Sequence, residues 1–268
     1  MAELSKDFKF KKQFGQNFIF DKNFMMSLVK DFNLPAETSV LEIGAGAGVL
    51  TEVLANSFKK VISFEIDKTL TEHLTSLQNE HNNLKFVFND VLEVETKKID
   101  DMFDGLDYVM IANLPYYITS QIIFKFLFAS NISKMFVMVQ KEVGERFCAN
   151  PSTKDYGIPT VLINSFGSCK IVKNVSRTVF KPVPNVDSCI IKIEIDKNKF
   201  EIKDNNKYSN FVSNCFKMKR KTLYNNLATA GFEKNKIIEQ IRLLNLPETV
   251  RPENLTAKDF VCLYNNLI

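Results

Sequence analysis

The chain is poor in the residues from which metal centres and disulfide frameworks are made. It has only two histidines. Its five cysteines, Cys148, Cys169, Cys189, Cys215 and Cys262, are odd in number, widely spaced and without a Cys-x-x-Cys. No metal site is therefore expected, and the thiols read as reduced and mostly buried, as in a cytoplasmic protein. No apolar run reaches the ~18 residues that a membrane span needs. The lysine-rich start lacks the apolar stretch of a secretory signal. The expected partners thus include neither a membrane nor a metal.

What is present is 268 residues with 45% hydrophobic content, enough for one large domain and a small one. The net charge of +4 is uneven. Residues 197–268 carry 13 Lys and Arg against 7 Asp and Glu, so this segment holds +6 and the rest −2. Such asymmetry suits a polyanionic partner, although a solvated lysine-rich face would have the same composition.

Residues 1–24 interleave Phe8, Phe10, Phe14, Phe18, Phe20 and Phe24 with lysines. That is too aromatic for a disordered tail and predicts an ordered arm packed on the domain. A helix follows over about 21–32. Short apolar runs predict strands at 39–43, 61–64, 84–88, 107–112 and 135–139, within 169–175, and at 189–195. After the first strand comes Gly44-Ala-Gly-Ala-Gly48 and then a helix. In that setting Gly44 and Gly46 permit a tight turn and close approach of a ligand to the backbone. Helices are also expected over 68–78, capped by Asp67, from Thr119 or Ser120 through Phe128, and over 140–146. Residues 197–206 read as a linker. Beyond them Phe211, Cys215, Leu223, Leu227, Ile237, Ile241, Leu244, Phe260 and Leu263 space helically and predict a small helical domain.

The chain is organised around Asn113-Leu114-Pro115-Tyr116. Pro115 lacks an N–H and must end the strand before it, so this stretch stands at the carboxyl end of a parallel strand, where open α/β sheets bind ligands. Asn113 and backbone carbonyls can accept hydrogen bonds from an exocyclic amine, and Tyr116 can stack on a flat ring. Glu65 ends the second strand about 20 residues past the first glycine, where a carboxylate binds ribose hydroxyls. Asp90, after the third, can accept from an adenine amine or simply cap a turn. The glycine spacing is not that of a dinucleotide site, and no hydride-transfer pair stands out, which disfavours a nicotinamide dehydrogenase. A nucleoside cofactor read by Glu65 and Asp90 fits S-adenosylmethionine better.

Ten segments stand in order over nearly the whole chain. They are Phe14-Gly-Gln-Asn-Phe18, Leu41-Glu-Ile-Gly-Ala-Gly-Ala-Gly48, Glu65-Ile-Asp67, Asn89-Asp90, Asn113-Leu-Pro-Tyr116, Gln140-Lys-Glu-Val143, Tyr156-Gly157, Phe180-x-Pro-x-Pro-x-Val-Asp-Ser188, Lys219-Arg-Lys-Thr-Leu223 and Arg251-Pro-Glu-Asn-Leu255. With them the chain resembles the ribosomal RNA adenine N6-dimethylases, most of all their bacterial small-subunit branch. It departs in having Gly-Ala-Gly-Ala-Gly where that branch has Gly-Pro-Gly, which changes no polar group.

The resemblance implies an α/β, Rossmann-like, seven-stranded S-adenosylmethionine methyltransferase sheet over 1–200 and a small C-terminal all-α RNA-binding domain over 201–268. It implies cofactor contacts at Asn17, Ile19, Gly44, Glu65, Asp90 and Asn113. It implies dimethylation of two adjacent adenosines in the 3′-terminal hairpin loop of 16S rRNA, on a pre-30S particle, by a cytoplasmic monomer. Adenine N6 is a poor nucleophile, so the chain must orient it: Asn113 and the Leu114 carbonyl would hold its hydrogens, Tyr116 would stack on the base, and Phe180 would form the opposite wall. Such a base is unstacked most cheaply from a loop.

Lys217, Lys219, Arg220 and Lys221 are expected on a helix, with Lys217, Arg220 and Lys221 sharing the face that grips phosphates. A large-subunit (23S) adenine methylase of the macrolide-resistance type is the nearest alternative, against which Val186-Asp187-Ser188 and residues 251–255 weigh. A non-catalytic RNA-binding assembly or transcription factor is another, against which the intact Asn113-Leu114-Pro115-Tyr116 weighs.

Overall fold

The structure, a computed structural model, describes residues 17–129 and 131–268. The expected arm before Asn17, with Phe8, Phe10 and Phe14, lies outside the described residues. A two-residue strand β1 (Phe18–Ile19) leads to α1 (Lys22–Asp31), which opens where the Asp21 carboxylate accepts the Phe24 N–H at 3.0 Å. Then come β2 (Ser39–Ile43), α2 (Val49–Ser57), β3 (Lys60–Phe64), α3 (Thr71–Asn79), β4 (Leu84–Val87), α4 (Thr96–Met102), β5 (Tyr108–Asn113), α5 (Thr119–Ala129) and β6 (Ile132–Gln140). After α6 (Lys141–Phe147) and α7 (Ile158–Phe166) follow β7 (Gly167–Val175), β8 (Phe180–Lys181) and β9 (Ser188–Ile195). The chain closes with α8 (Asn205–Cys215), α9 (Leu223–Thr229), α10 (Lys234–Leu243) and α11 (Ala257–Leu267).

All seven expected strands are present. The expected helix over 68–78 begins as a 3-10 turn, Lys68–Leu70, with Asp67 accepting the Thr69 N–H at 3.0 Å as its cap. Helix α4 left no signal in the sequence, because only Ile99 of its seven residues is buried and one apolar residue makes no period.

The seven strands form one sheet in the order β4-β3-β2-β5-β6-β9-β7. β2, β3, β4, β5 and β6 pair in parallel, and β9 runs antiparallel to β6. Parallel strands are covered on both faces, which is why β5 is buried from Tyr108 to Ala112. Succession runs outward one way from β2 through β3 to β4, and the other way from β5 to β6. The reversal falls between β2 and β5, leaving a crevice at their carboxyl ends. Among the helices on the sheet, α1 sends Phe32, just past its end, to stack on Phe136 of β6 at 4.2 Å.

Two compact units result. One holds the chain up to Gly144 together with Lys170–Glu194; the other holds Glu145–Cys169 and Ile195–Ile268. The expected boundary is a single one after residue 200, whereas compactness gathers α7 with the C-terminal helices. The reason is chemical: α7 buries Val161, Leu162, Ile163 and Phe166, and its Ser165 hydroxyl meets the Tyr208 hydroxyl of α8 at 2.6 Å. In that unit every residue of the helically spaced set is buried except Leu244, which is half-buried.

Glu42 is an anomaly of the first unit. It sits within β2 at 0% exposure, its Oε2 accepting from the Thr51 and Ser63 hydroxyls at 2.6 Å each. Its Oε1 has no partner among the described residues. Burial pushes the carboxyl up to about 7, against the hydrogen bonds from Ser63 and Thr51 and with help from the Glu65 charge. A carboxyl raised on folding leaves stability intact below its unfolded value near 4.5 and removes it as pH climbs to about 7. The loss over that window is on the order of 3 kcal/mol. Glu42→Gln keeps the acceptor and abolishes the titration. The difference in urea midpoint between pH 5 and pH 8 should therefore shrink in that variant; an unchanged difference would assign the pH dependence to other groups.

Candidate active site

At the crevice between β2 and β5 lies a cavity lined by Gly44, Gly46, Glu65, Asp90 and Tyr116, among others. The turns after four of the five parallel strands each deliver one element: the glycine loop after β2, Glu65 after β3, Asn89 and Asp90 after β4, and Asn113-Leu114-Pro115-Tyr116 at the end of β5. Residues far apart in sequence thus meet because parallel strands end on the same edge.

Glu65 is 5% exposed. Its Oε2 accepts the Gly46 N–H and its Oε1 the Asp67 N–H, both at 2.8 Å. Burial raises its carboxyl, and those two N–H donors pull it back. Gly46 has φ +55, and a Cβ there would stand 2.8 Å from the Phe18 ring, so only glycine fits between ring and carboxylate. Asp90 does serve as a turn cap, its Oδ1 accepting the Leu92 N–H at 2.8 Å, yet it also lines the cavity, and a carboxylate has a second oxygen.

Asn113 donates its side-chain amide to the Asn17 carbonyl at 3.2 Å, which leaves Oδ1 as its acceptor end. The Tyr116 hydroxyl meets the Ser188 hydroxyl at 2.9 Å, fixing the ring. The Thr119 hydroxyl donates to the Pro115 carbonyl at 3.0 Å. Asn17, Leu114 and Pro115 line the cavity. Ile19 and Phe180 do not. They pair with each other across the β1–β8 ladder, 4% and 0% exposed, within the hydrophobic core. The expected stacking role of Phe180 is therefore corrected: a fully buried ring offers no face to a base.

The basic segment lies in the second unit and also departs from expectation. Lys217, Lys219, Arg220 and Lys221 are not helical; they stand on the connection between α8 and α9, all exposed. Buried Asn226 competes with helix formation here. Its side-chain oxygen accepts the Met218 N–H at 2.7 Å, and its amide donates to the Met218 and Thr222 carbonyls at 3.3 and 3.2 Å. Arg220 takes φ +66, which no helix tolerates.

Sequence reasoning missed Glu42, Tyr117, His73 and Lys125. His73 Nε2 lies 3.0 Å from the Ala47 carbonyl and braces the glycine turn from α3. Lys125 gave the plainest signal, the one charge of α5, set between Ile122-Ile123-Phe124 and Phe126-Leu127-Phe128.

The sequence profile of the family described as ribosomal RNA adenine dimethylase matches residues 7–267. A ribosomal RNA small subunit methyltransferase A from Caldanaerobacter subterraneus subsp. tengcongensis is 42% identical over 261 residues, covering 97% of each chain. One from Mycoplasma capricolum subsp. capricolum is 37% identical, covering 96% of this chain and 97% of its own. Among solved structures, a dimethyladenosine transferase from Plasmodium falciparum superposes with TM-score 0.75 at 28% identity, over 92% of this chain and 95% of its own. The 23S rRNA methyltransferase ErmE gives 0.70 at 25%, over 94% and 99%.

Lys125 supplies the test of the cavity's construction. Its ammonium donates to the Leu92 and Val94 carbonyls at 2.8 and 2.6 Å, tying the loop that follows Asp90 to the helix that follows Tyr116. Burial lowers its pKa, opposed by the Asp90 and Glu93 charges. Hydrogen bonds to a charged donor contribute about 1.5–3 kcal/mol each. In Lys125→Met, amide exchange over residues 91–95 should quicken by about tenfold or more, while residues 44–48 keep wild-type protection. Unchanged exchange over 91–95 would mean that other contacts hold the loop.

Proposed function

The chain belongs to the ribosomal RNA adenine dimethylases, and from that membership we propose that it dimethylates N6 of two adjacent adenosines in the 3′-terminal hairpin loop of 16S rRNA, with S-adenosylmethionine as methyl donor. The observation that carries the reading is the convergence of Glu65, Asp90 and Asn113-Leu114-Pro115-Tyr116 on one cavity at the switch of strand order. The small-subunit names of its relatives favour this target over a 23S one. Its setting is the cytoplasm, where it acts as a monomer on a pre-30S particle.

The residues fit the cofactor. A Cβ on Gly44 would stand 3.7 Å from the Asn113 carbonyl oxygen and 4.0 Å from Pro115 Cδ, so glycine keeps open the gap between the two turns. Glu65 and Asp90 offer acceptors for ribose hydroxyls and an adenine amine. When bound, S-adenosylmethionine supplies an electrophilic methyl group. The chain's own part is orientation. Asn113 Oδ1 and the Leu114 carbonyl accept the two N6 hydrogens and turn the nitrogen lone pair out of conjugation with the ring. Tyr116, fixed through Ser188, gives the base a face to stack on. An alkylated N6 is acidic, so its proton leaves to solvent and no strong base is asked of the chain. Recognition of the RNA backbone falls to the exposed cations of the loop between α8 and α9.

The direct test is to incubate the protein with labelled S-adenosylmethionine and either unmethylated small or large ribosomal subunits, then map the label by mass spectrometry. Dimethyladenosine at the paired 16S positions is expected. Label confined to 23S rRNA would replace the target, and no label on either would remove the activity. In the same assay Asn113→Ala should lower turnover about a hundredfold or more while subunit affinity stays within about twofold. Wild-type turnover from that variant would sink the orienting mechanism.

The RNA loop has its own measurement. Lys217, Lys219 and Lys221 can be reversed to Glu without touching the strained backbone of Arg220. Subunit affinity should fall, and the slope of log affinity against log salt should flatten by about one unit for each phosphate that is no longer neutralised. Cofactor affinity should not change. An unaltered slope would place the phosphate-binding cations elsewhere.

A further inference from the structure

We propose that Tyr117 is the ring that closes over the nucleoside of the bound cofactor, a role that rests on the reading that this cavity takes S-adenosylmethionine. Among the aromatic residues lining the cavity, Phe18 and Phe64 are buried in the core, and Tyr116 is half-buried with its hydroxyl held by Ser188. Tyr117 lines the same cavity yet is 58% exposed. With Phe180 sealed in the core, it is the ring at this site most open to a ligand.

Its surroundings say which ligand. Partial burial raises the Tyr117 pKa, and the charges of Asp90 and Glu65 raise it further. Glu65 and Asp90, the carboxylates proposed to read the nucleoside, line the same cavity as Tyr117. Adjacent residues Tyr116 and Tyr117 divide the cavity between them: Tyr116 faces the target base and Tyr117 covers the adenosine of the cofactor. A purine has a large polarisable face, and stacking on an aromatic ring needs no particular hydrogen-bond pattern. Pro115, two residues earlier, stiffens the turn that carries both rings, so the covering ring is ordered without immobilising a long flexible loop.

Two probes separate this role from its alternatives. S-adenosylhomocysteine carries the nucleoside and the amino-acid tail; 5′-methylthioadenosine carries the nucleoside alone. Calorimetry with both, on Tyr117→Ala, Tyr117→Leu and Tyr117→Phe, should show the same loss for both probes in the Ala and Leu variants, about tenfold. The Phe variant should stay within about twofold of wild type, and small-subunit affinity measured without cofactor should stay constant throughout. The side chain's exposure lets all three variants fold, which circular dichroism checks. Wild-type affinity for S-adenosylhomocysteine in Tyr117→Ala would overturn the proposal. So would a loss confined to S-adenosylhomocysteine, which would put the ring on the tail, or a loss confined to subunit binding, which would put it on the target base. A wild-type protein that binds neither probe would bring down the underlying cofactor reading, and that result is distinct because it needs no variant.

Discussion

The hydrogen bond from the Gly46 N–H to Glu65 Oε2 is the contact on which the glycine-turn side of the cavity depends. It requires the backbone of the glycine turn to come within 2.8 Å of a carboxylate on the neighbouring strand end. That approach needs φ +55 at Gly46 and the space that the Phe18 ring leaves there. Phe18 is held in turn by the short β1–β8 ladder. Arm strand, glycine turn and carboxylate therefore form one assembly. The second buried carboxyl, Glu42 of β2, is hydrogen-bonded to Thr51 of α2 and Ser63 of β3, and so ties together the elements that flank the turn. Burial raises the ionisation cost of both acids, the Glu65 charge adds to that of Glu42 and the Asp67 charge to that of Glu65, and hydroxyl and backbone donors offset part of it.

The turn after β5 is built on the opposite logic, with neutral contacts to several elements. Asn113 is tied to Asn17, Tyr116 to Ser188, and the Pro115 carbonyl to Thr119. Pro115 fixes one backbone angle and restricts the residue before it. Such a turn is stiff before any ligand arrives, and so loses little entropy on binding one. Lys125 couples the two halves by holding the Asp90 loop from the helix that this turn begins.

The basic loop in the second unit is ordered in a comparable way. Buried Asn226 makes three hydrogen bonds to the loop backbone, so the cations are presented on an ordered connection, not on a floppy one. Arg220 at positive φ is a local strain that those bonds hold in place.

By itself the sequence determined the strands, the order of motifs and the ends at which ligand groups stand. Continuous apolar runs, glycines at a strand end and a proline after a strand are local facts with local causes. The helical spacing from Phe211 to Leu263 was likewise readable, since one buried face leaves a period. Only the tertiary structure decided the fate of Phe180, because whether an aromatic ring faces core or cavity depends on which strand pairs beside it. It decided that the four cations stand on a loop, because the side chain that stops the helix, Asn226, lies on the following one. It decided that Glu42 and Lys125 have partners, because a single charge in an apolar run does not tell what the neighbouring element brings. Local pattern fixes the elements; the groups that meet across them are fixed by packing, in which each buried polar atom must find its partner from elsewhere in the chain.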